Sequence, residues 1–203
     1  MSTALEDLAK TASTCTRCRL SAGRTQVVFA DGSPTADLMF VGEGPGYHED
    51  QKGVPFVGAA GQLLNTLLGE IGLEREEVRI TNTVLCRPPG NRDPLPDELE
   101  SCRPYLTQQV ELVDPKVIVT LGNFATRVIL DTKLGITRVR GQVHPWNGRT
   151  VIPTFHPAAV LRGGGATSKT MEQVREDFAK VRAVLDEAGT SVVALPEEQL
   201  GLF

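Results

Sequence analysis

The chain has no apolar run long enough to cross a bilayer, which argues against a helical membrane protein. Its first residues, Met1 to Leu8, are acidic and amphipathic, unlike a secretory signal, so the expected compartment is the reducing cytoplasm. Internal repeats and long low-complexity linkers are missing, which leaves no sign of a solenoid or of strung domains. No Gly-Lys-Ser/Thr follows its glycine-dense segment, so that segment is not a nucleotide-binding P-loop. With 203 residues, 40% of them hydrophobic, the chain has material for one substantial core and needs no second.

Cysteine is scarce too, and its placement is the most informative feature. All four cysteines fall in the pattern Cys15-x2-Cys18 and Cys86-x15-Cys102. A Cys-x2-Cys pair puts two thiolates on one turn, ready to grip one metal centre. The second pair comes from far along the chain, so the centre would staple the N-terminus to the body of the fold. Four soft thiolates with no histidine nearby suit tetrahedral zinc or an iron–sulfur cluster. Disulfides are the bland alternative, and nothing else points to secretion. Cysteine spacing alone does not choose between the two metals.

Charge is unevenly spread under a net −4. Residues 172–203 hold seven acidic and three basic residues, which accounts for the whole excess. Residues 127–169 hold seven basic residues against Asp131 alone. That stretch is either a solvated basic face or an edge that meets a polyanion.

Short β-branched segments at 26–29, 37–41, 78–82, 116–121 and 151–155 alternate with helical patterns. Leu63, Leu64, Leu67, Leu68 and Ile71 share one helical face within 61–72. A second helix should start near Pro96, with Pro104 bending it or shifting its start. A last helix should run over 170–189 behind a capping box at Thr170 and Gln173. Strands alternating with helices predict an α/β fold: three layers, α/β/α, around a mostly parallel sheet of four to five strands. The expected organisation is a single domain over 1–189 and a flexible tail over 190–203.

Such folds bind ligands beyond the carboxyl ends of their strands. Three predicted strand ends carry notable residues: Gly42-Glu43-Gly44-Pro45-Gly46, Thr81-Asn82 and His156-Pro157. Each alone reads as an ordinary turn, cap or core histidine. Together they form a chemistry. Asn82 offers a donor and an acceptor side by side, matching a pyrimidine edge. His156 can donate to an oxygen that gains negative charge. A carboxylate such as Glu43 can orient water, and Phe56 can stack on an extruded base. The set suits hydrolysis of an N-glycosidic bond.

These motifs also carry a likeness. Gly42-Glu-Gly-Pro-Gly-Tyr-His-Glu-Asp50, Pro55-Phe-Val-Gly-Ala-Ala-Gly-Gln-Leu-Leu-Asn65, Ile80-Thr-Asn82 and His156-Pro-Ala-Ala-Val-Leu-Arg162 resemble the motifs of the family 4 uracil-DNA glycosylases. The cysteines match that family's [4Fe–4S] ligand pattern in order and approximate spacing. The resemblance implies that Cys15, Cys18, Cys86 and Cys102 hold the cluster. It further implies catalytic roles for Glu43 (water) and His156 (the uracil O2), and a uracil pocket of Gly42, Gly44, Glu49, Phe56, Asn82 and His156. Glu49 would face C5, where thymine carries its methyl. DNA would be held by helix-start N–H groups at Gly58 and Gly61, by a wedge of Val160 and Leu161, and by Arg162 on a phosphate. Tyr47-His48 departs from the acidic pair commoner in that family.

The implied function is excision of uracil from DNA, leaving an abasic site, by a monomeric enzyme acting at the nucleoid. The alternative is a protein of the same fold that binds or traps uracil-DNA with little turnover. The loop 87–94 has no histidine to trap with, which favours turnover. Beyond the last helix, Gln199, Leu200, Leu202 and Phe203 resemble a bacterial sliding-clamp-binding peptide.

Overall fold

In the computed structural model of the protein, residues 3–190 are described. Among these residues six strands form one sheet: β1 (Asp31–Gly32), β2 (Leu38–Gly42), β3 (Arg79–Asn82), β4 (Val117–Leu121), β5 (His144–Trp146) and β6 (Arg149–Thr154). Their order is β1-β3-β2-β4-β6-β5. The inner four are parallel, while β1 and β5 are antiparallel edges. The expected sheet of four to five strands thus gains members at its margins. The edge strands are two and three residues long, too short for an alternating pattern to announce them. Residues 26–29, expected as a strand, join no ladder. Val28 donates one backbone bond to Leu85, and the Thr81 hydroxyl donates to the Phe29 carbonyl.

Alternation along the inner strands builds a core on each face. Leu38 and Phe40 of β2 point one way with Val117, Val119 and Leu121 of β4; Met39, Val41 and Ile118 point the other. The first face is covered by α3 (Ala59–Glu70), α7 (Pro157–Arg162) and α8 (Lys169–Thr190), through Leu64, Leu67, Leu68, Val160 and Phe178. The second is covered by α4 (Pro96–Val113) and α5 (Gly122–Leu130), through Leu106, Val110, Ala125 and Ile129. The result is the three-layer α/β/α arrangement. Near the N-terminus, α1 (Thr3–Ser13) lays Leu8 and Ala12 against Tyr105 of α4. The two remaining helices, α2 (Tyr47–Lys52) and α6 (Ile136–Val139), are short and, like α7, sit in connections.

Two helix-end expectations change. Pro104 lies inside α4 without shifting its start, which stays at Pro96. The cap of α8 is Ser168, whose hydroxyl accepts the Met171 N–H at 3.2 Å, and not Thr170. Of its apolar stripe, Met171, Val174, Phe178 and Val181 are buried, and Leu185 packs partly buried against the same core. Residues 191–203, including the clamp-like peptide, lie outside the described residues.

Candidate active site

The chain leaves β2 to place β3 on one side and β4 on the other, so a crevice opens at this switch beyond the strand ends. A cavity of about 360 Å³ lies there, lined among others by Glu43, Gly44, Glu49, Phe56, Asn82 and His156. That volume is ordinary for a small-ligand site.

Gly42 and Asn82 are register partners at the ends of β2 and β3. A Cβ on Gly42 would lie 2.4 Å from Asn82 Oδ1 and 2.6 Å from the Phe56 ring, so only glycine fits. The exit of β3 pins the following loop. The Thr83 N–H donates to the Gly42 carbonyl (2.9 Å), and the Thr83 hydroxyl and Val84 N–H donate to the Glu43 carbonyl (2.5 and 3.2 Å). Asn82 is only 2% exposed, and its Oδ1 has no hydrogen-bond partner in the protein. A buried acceptor left unpaired costs about 1–3 kcal/mol, so it is poised for a ligand donor.

Phe56 takes a positive φ of 53°, unfavourable for an aromatic residue, and the surroundings enforce it. The Arg75 guanidinium donates to the carbonyls of Pro55 (2.6 Å) and Phe56 (3.3 Å) while pairing with Asp31. A Cβ at Gly61 would sit 1.7 Å from the Phe56 carbonyl oxygen, so this glycine serves packing. Glu49 Oε1 accepts the N–H groups of Val57 and Gly58, each at 2.9 Å, and so caps the entry to α3. The Gly58 N–H expected to meet a phosphate is therefore already engaged.

His156 stands at the end of β6 as the N-cap of α7. Its Nδ1 accepts the Ala158 N–H at 3.1 Å, which fixes the neutral tautomer with the proton on Nε2. Burial, helped by Arg162 and opposed by Glu49, lowers its pKa to about 4. The ring lies 5.6 Å from that of Phe56, stacked at 29°. Room for it comes from Gly122 at the end of β4, with φ +87°, where a Cβ would approach the His156 Cβ at 3.1 Å. Behind β6, buried Asp177 accepts from the Thr154 hydroxyl (2.6 Å) and from Arg140, whose guanidinium also covers the Phe155 ring. Arg75, Gly122 and Asp177 are structural supports of the cavity that the sequence reading missed.

The loop 87–94 closes the cavity with Asn91, Arg92 and Asp93, also missed. Three polar residues between prolines, just after Cys86, were the available signal. Arg92 grips buried Glu98 through two hydrogen bonds (2.8 and 2.6 Å) and thereby anchors the loop on α4. Glu43 has its pKa raised, first by burial and then by Asp93, against the opposing charge of Arg162.

The expected wedge is corrected. Val160 is fully buried in the main core, whereas Leu161 is 43% exposed beside Arg162. Successive helical residues turn about 100°, so only one of the pair can face outward. The basic stretch is also less open than its count suggests, because Arg140 pairs with Asp177 and Arg149 with Asp114.

Residues 29–179 match the uracil DNA glycosylase superfamily model. The chain belongs to the uracil DNA glycosylase superfamily. It is 47% identical over 188 residues to the type-4 uracil-DNA glycosylase of Sulfurisphaera tokodaii, covering 88% of this chain and 83% of the relative. The type-4 uracil-DNA glycosylases of Thermotoga maritima and Archaeoglobus fulgidus are 45% and 44% identical. They cover 86% and 87% of this chain and 91% of each relative.

In this superfamily member the four cysteines line one small pocket between α1 and α4, with Arg17, Arg24 and Tyr105. Among the described residues no three side chains converge as ligands of one metal ion. The donor chemistry nevertheless fits a sulfur-ligated centre, since no carboxylate or imidazole lines the pocket. Arg24 donates to Cys86 Sγ (3.4 Å) and to the Cys15 carbonyl (2.7 Å), and the Leu85 N–H points at Cys102 Sγ (3.4 Å). Such N–H···S contacts are what thiolate ligands receive from a second sphere. Burial first, then neighbouring thiols, pushes the Cys102 thiol up to about 12, so ionising it here needs a compensating cation. Among the described residues no helix is long and apolar enough to cross a membrane.

Proposed function

We propose that the protein, as a single domain over 1–189, draws uracil out of DNA and hydrolyses its N-glycosidic bond. One observation carries this reading: the buried, unpaired Oδ1 of Asn82 in the same cavity as the Nε2–H of His156. The N3–H of uracil supplies the missing donor, while the Asn82 amide donates to O4. Cytosine presents an acceptor at N3 and a donor at N4, so both contacts become clashes of like groups. Phe56 stacks on the ring.

The reaction follows from the remaining groups. The C1′–N1 bond breaks with its electron pair on the base, and negative charge gathers at O2. The His156 Nε2–H, neutral and fixed, stabilises that oxygen without giving up its proton. The sugar becomes oxocarbenium-like, and the Glu43 carboxylate favours this charge. Water adds at C1′ and its proton passes to Glu43; return of that proton through solvent to N1 of the uracil anion restores the carboxylate and leaves an abasic site and free uracil. Glu49, clamped by two backbone N–H groups, forms a rigid wall at C5 that turns a thymine methyl into a clash. Leu161 enters the gap left by the base and Arg162 meets a phosphate.

Cys15, Cys18, Cys86 and Cys102 would hold a [4Fe–4S] cluster, whose part is to tie the N-terminal segment and loop 87–94 to the fold. The protein acts as a monomer in the cytoplasm, on the nucleoid, and residues 199–203 serve as a sliding-clamp ligand.

Release of free base from oligonucleotides carrying one uracil, cytosine or thymine tests the reading. Repeated turnover on uracil alone, lost in Asn82→Ala, is the expected result. Tight binding without release would instead move the protein to the trapping class.

A further inference from the structure

We propose that Tyr47 and Arg87 form a stacking subsite for the nucleobase that flanks the extruded uridine; the proposal rests on the uracil-excision reading. Tyr47 is 53% exposed, more than any other large apolar side chain among the described residues. A lone exposed aromatic is unremarkable in itself. This one is held. The Arg87 guanidinium carbon lies 5.1 Å over the ring centroid, and the His48 ring meets it edge-on at 5.5 Å.

Both partners are fixed to the rim of the cavity. Tyr47 follows the cavity-lining Gly46 and opens α2, the helix whose Glu49 clamps Val57 and Gly58. Arg87 lies between Cys86 and the cavity-lining Pro88, and its Nε donates to Asn91 Oδ1 at 2.7 Å. Asn91 itself lines the cavity. The aromatic ring, the guanidinium and the pocket wall therefore form one connected, pre-ordered surface, which limits the ordering cost of binding.

Once uracil enters the cavity, the neighbouring nucleotides must cross this rim. An exposed ring backed by a cation accepts any base, because every base presents a π-face and the guanidinium adds a cation–π component. The subsite should thus be tolerant of sequence and should matter most on single strands, whose bases are free to leave their neighbours.

The test uses single-stranded oligonucleotides with one uracil, in which the 5′ or the 3′ flanking nucleotide is intact or abasic. Tyr47→Ala should raise KM about tenfold at unchanged kcat, and Tyr47→Phe should keep the wild-type KM. Wild type should lose the same factor when one flanking base is removed, and Tyr47→Ala should lose nothing further from that removal. The proposal is overturned if Tyr47→Ala leaves KM unchanged. It is equally overturned if the KM rise persists in full on substrates lacking both flanking bases, which would mean a sugar–phosphate contact. Uracil release by wild type keeps the two levels apart: no release sinks the excision reading itself, and release without coupling sinks only the subsite.

Discussion

The strand-end pocket and the cysteine pocket are both built from distant segments, yet they are ordered by opposite means. In the first, sheet register sets Gly42 against Asn82, and glycines at 42, 61 and 122 let side chains and carbonyls approach closely. Its titratable groups are tuned by what already surrounds them: His156 is held neutral and the pKa of Glu43 is pushed upward. In the second, four cysteines line one small pocket, and burial first, then neighbouring thiols, drives Cys86 and Cys102 toward the neutral form. A positive centre bound among the sulfurs, as proposed above, would offset that cost. Between the two lies loop 87–94, attached to Cys86 at one end and to Glu98 through Arg92 at the other. The pocket's outer wall thus depends on the segment that follows Cys86 and on the Arg92–Glu98 pair, while its floor depends on the sheet.

The largest effect expected from breaking this division comes from Cys102→Ala. Loss of the proposed cluster's visible absorbance should accompany loss of folded protein and of DNA binding. A stable, fully active apo-protein would show that the loop orders itself.

Glu43 sharpens the contrast through pH. Its raised pKa means the carboxylate is lost as pH falls, so the rate should decline on an acidic limb above the ordinary value of 4.5. Asp93→Asn removes a charge that raises this pKa and should move the limb to lower pH. Glu43→Gln should slow release roughly 100-fold and erase the limb. His156 adds no inflection near 6.5, because it remains neutral down to about pH 4. Its depressed pKa makes the unfolded state bind more protons between these values, so it contributes stability above about 6.5 that is lost as pH falls toward 4. Rate profiles and unfolding midpoints from pH 4 to 8 check both statements.

A smaller effect is expected at Gly122→Ala. The positive φ and the 3.1 Å approach to His156 should cost about 1–2 kcal/mol and shift the imidazole, lowering kcat more than it raises KM. An unchanged kcat would detach Gly122 from the site.

The smallest pair separates Val160 from Leu161. Val160→Ala should lower stability by about 1–3 kcal/mol without changing duplex affinity. Leu161→Ala should leave the unfolding midpoint in place and weaken activity on duplex uracil. Equal behaviour of the two would restore the double wedge.

The parts of the site that were legible in the sequence are those where a polar residue ends an apolar run. Asn82 and His156 stand out because a strand end is exposed to solvent or to a ligand. Gly42 to Gly46 stands out because no strand tolerates such glycine density. What escaped acts through backbone or space. Arg75 works on two carbonyls, Gly122 by lacking a Cβ, and Asp177 from a helix one layer away. The edge strands escaped because two or three residues carry no period, and Val160 was misplaced because a six-residue helix leaves its inward face undecided until it is docked.

The most direct test is single-turnover release of uracil by His156→Ala at saturating enzyme, beside wild type and with oligonucleotide affinity measured in parallel. A rate loss of about 100- to 1,000-fold with affinity preserved is predicted, since the imidazole acts on charge that appears only as the bond breaks. An undiminished rate would contradict the account, and would mean that the leaving uracil is stabilised by some group other than the Nε2–H at the end of β6.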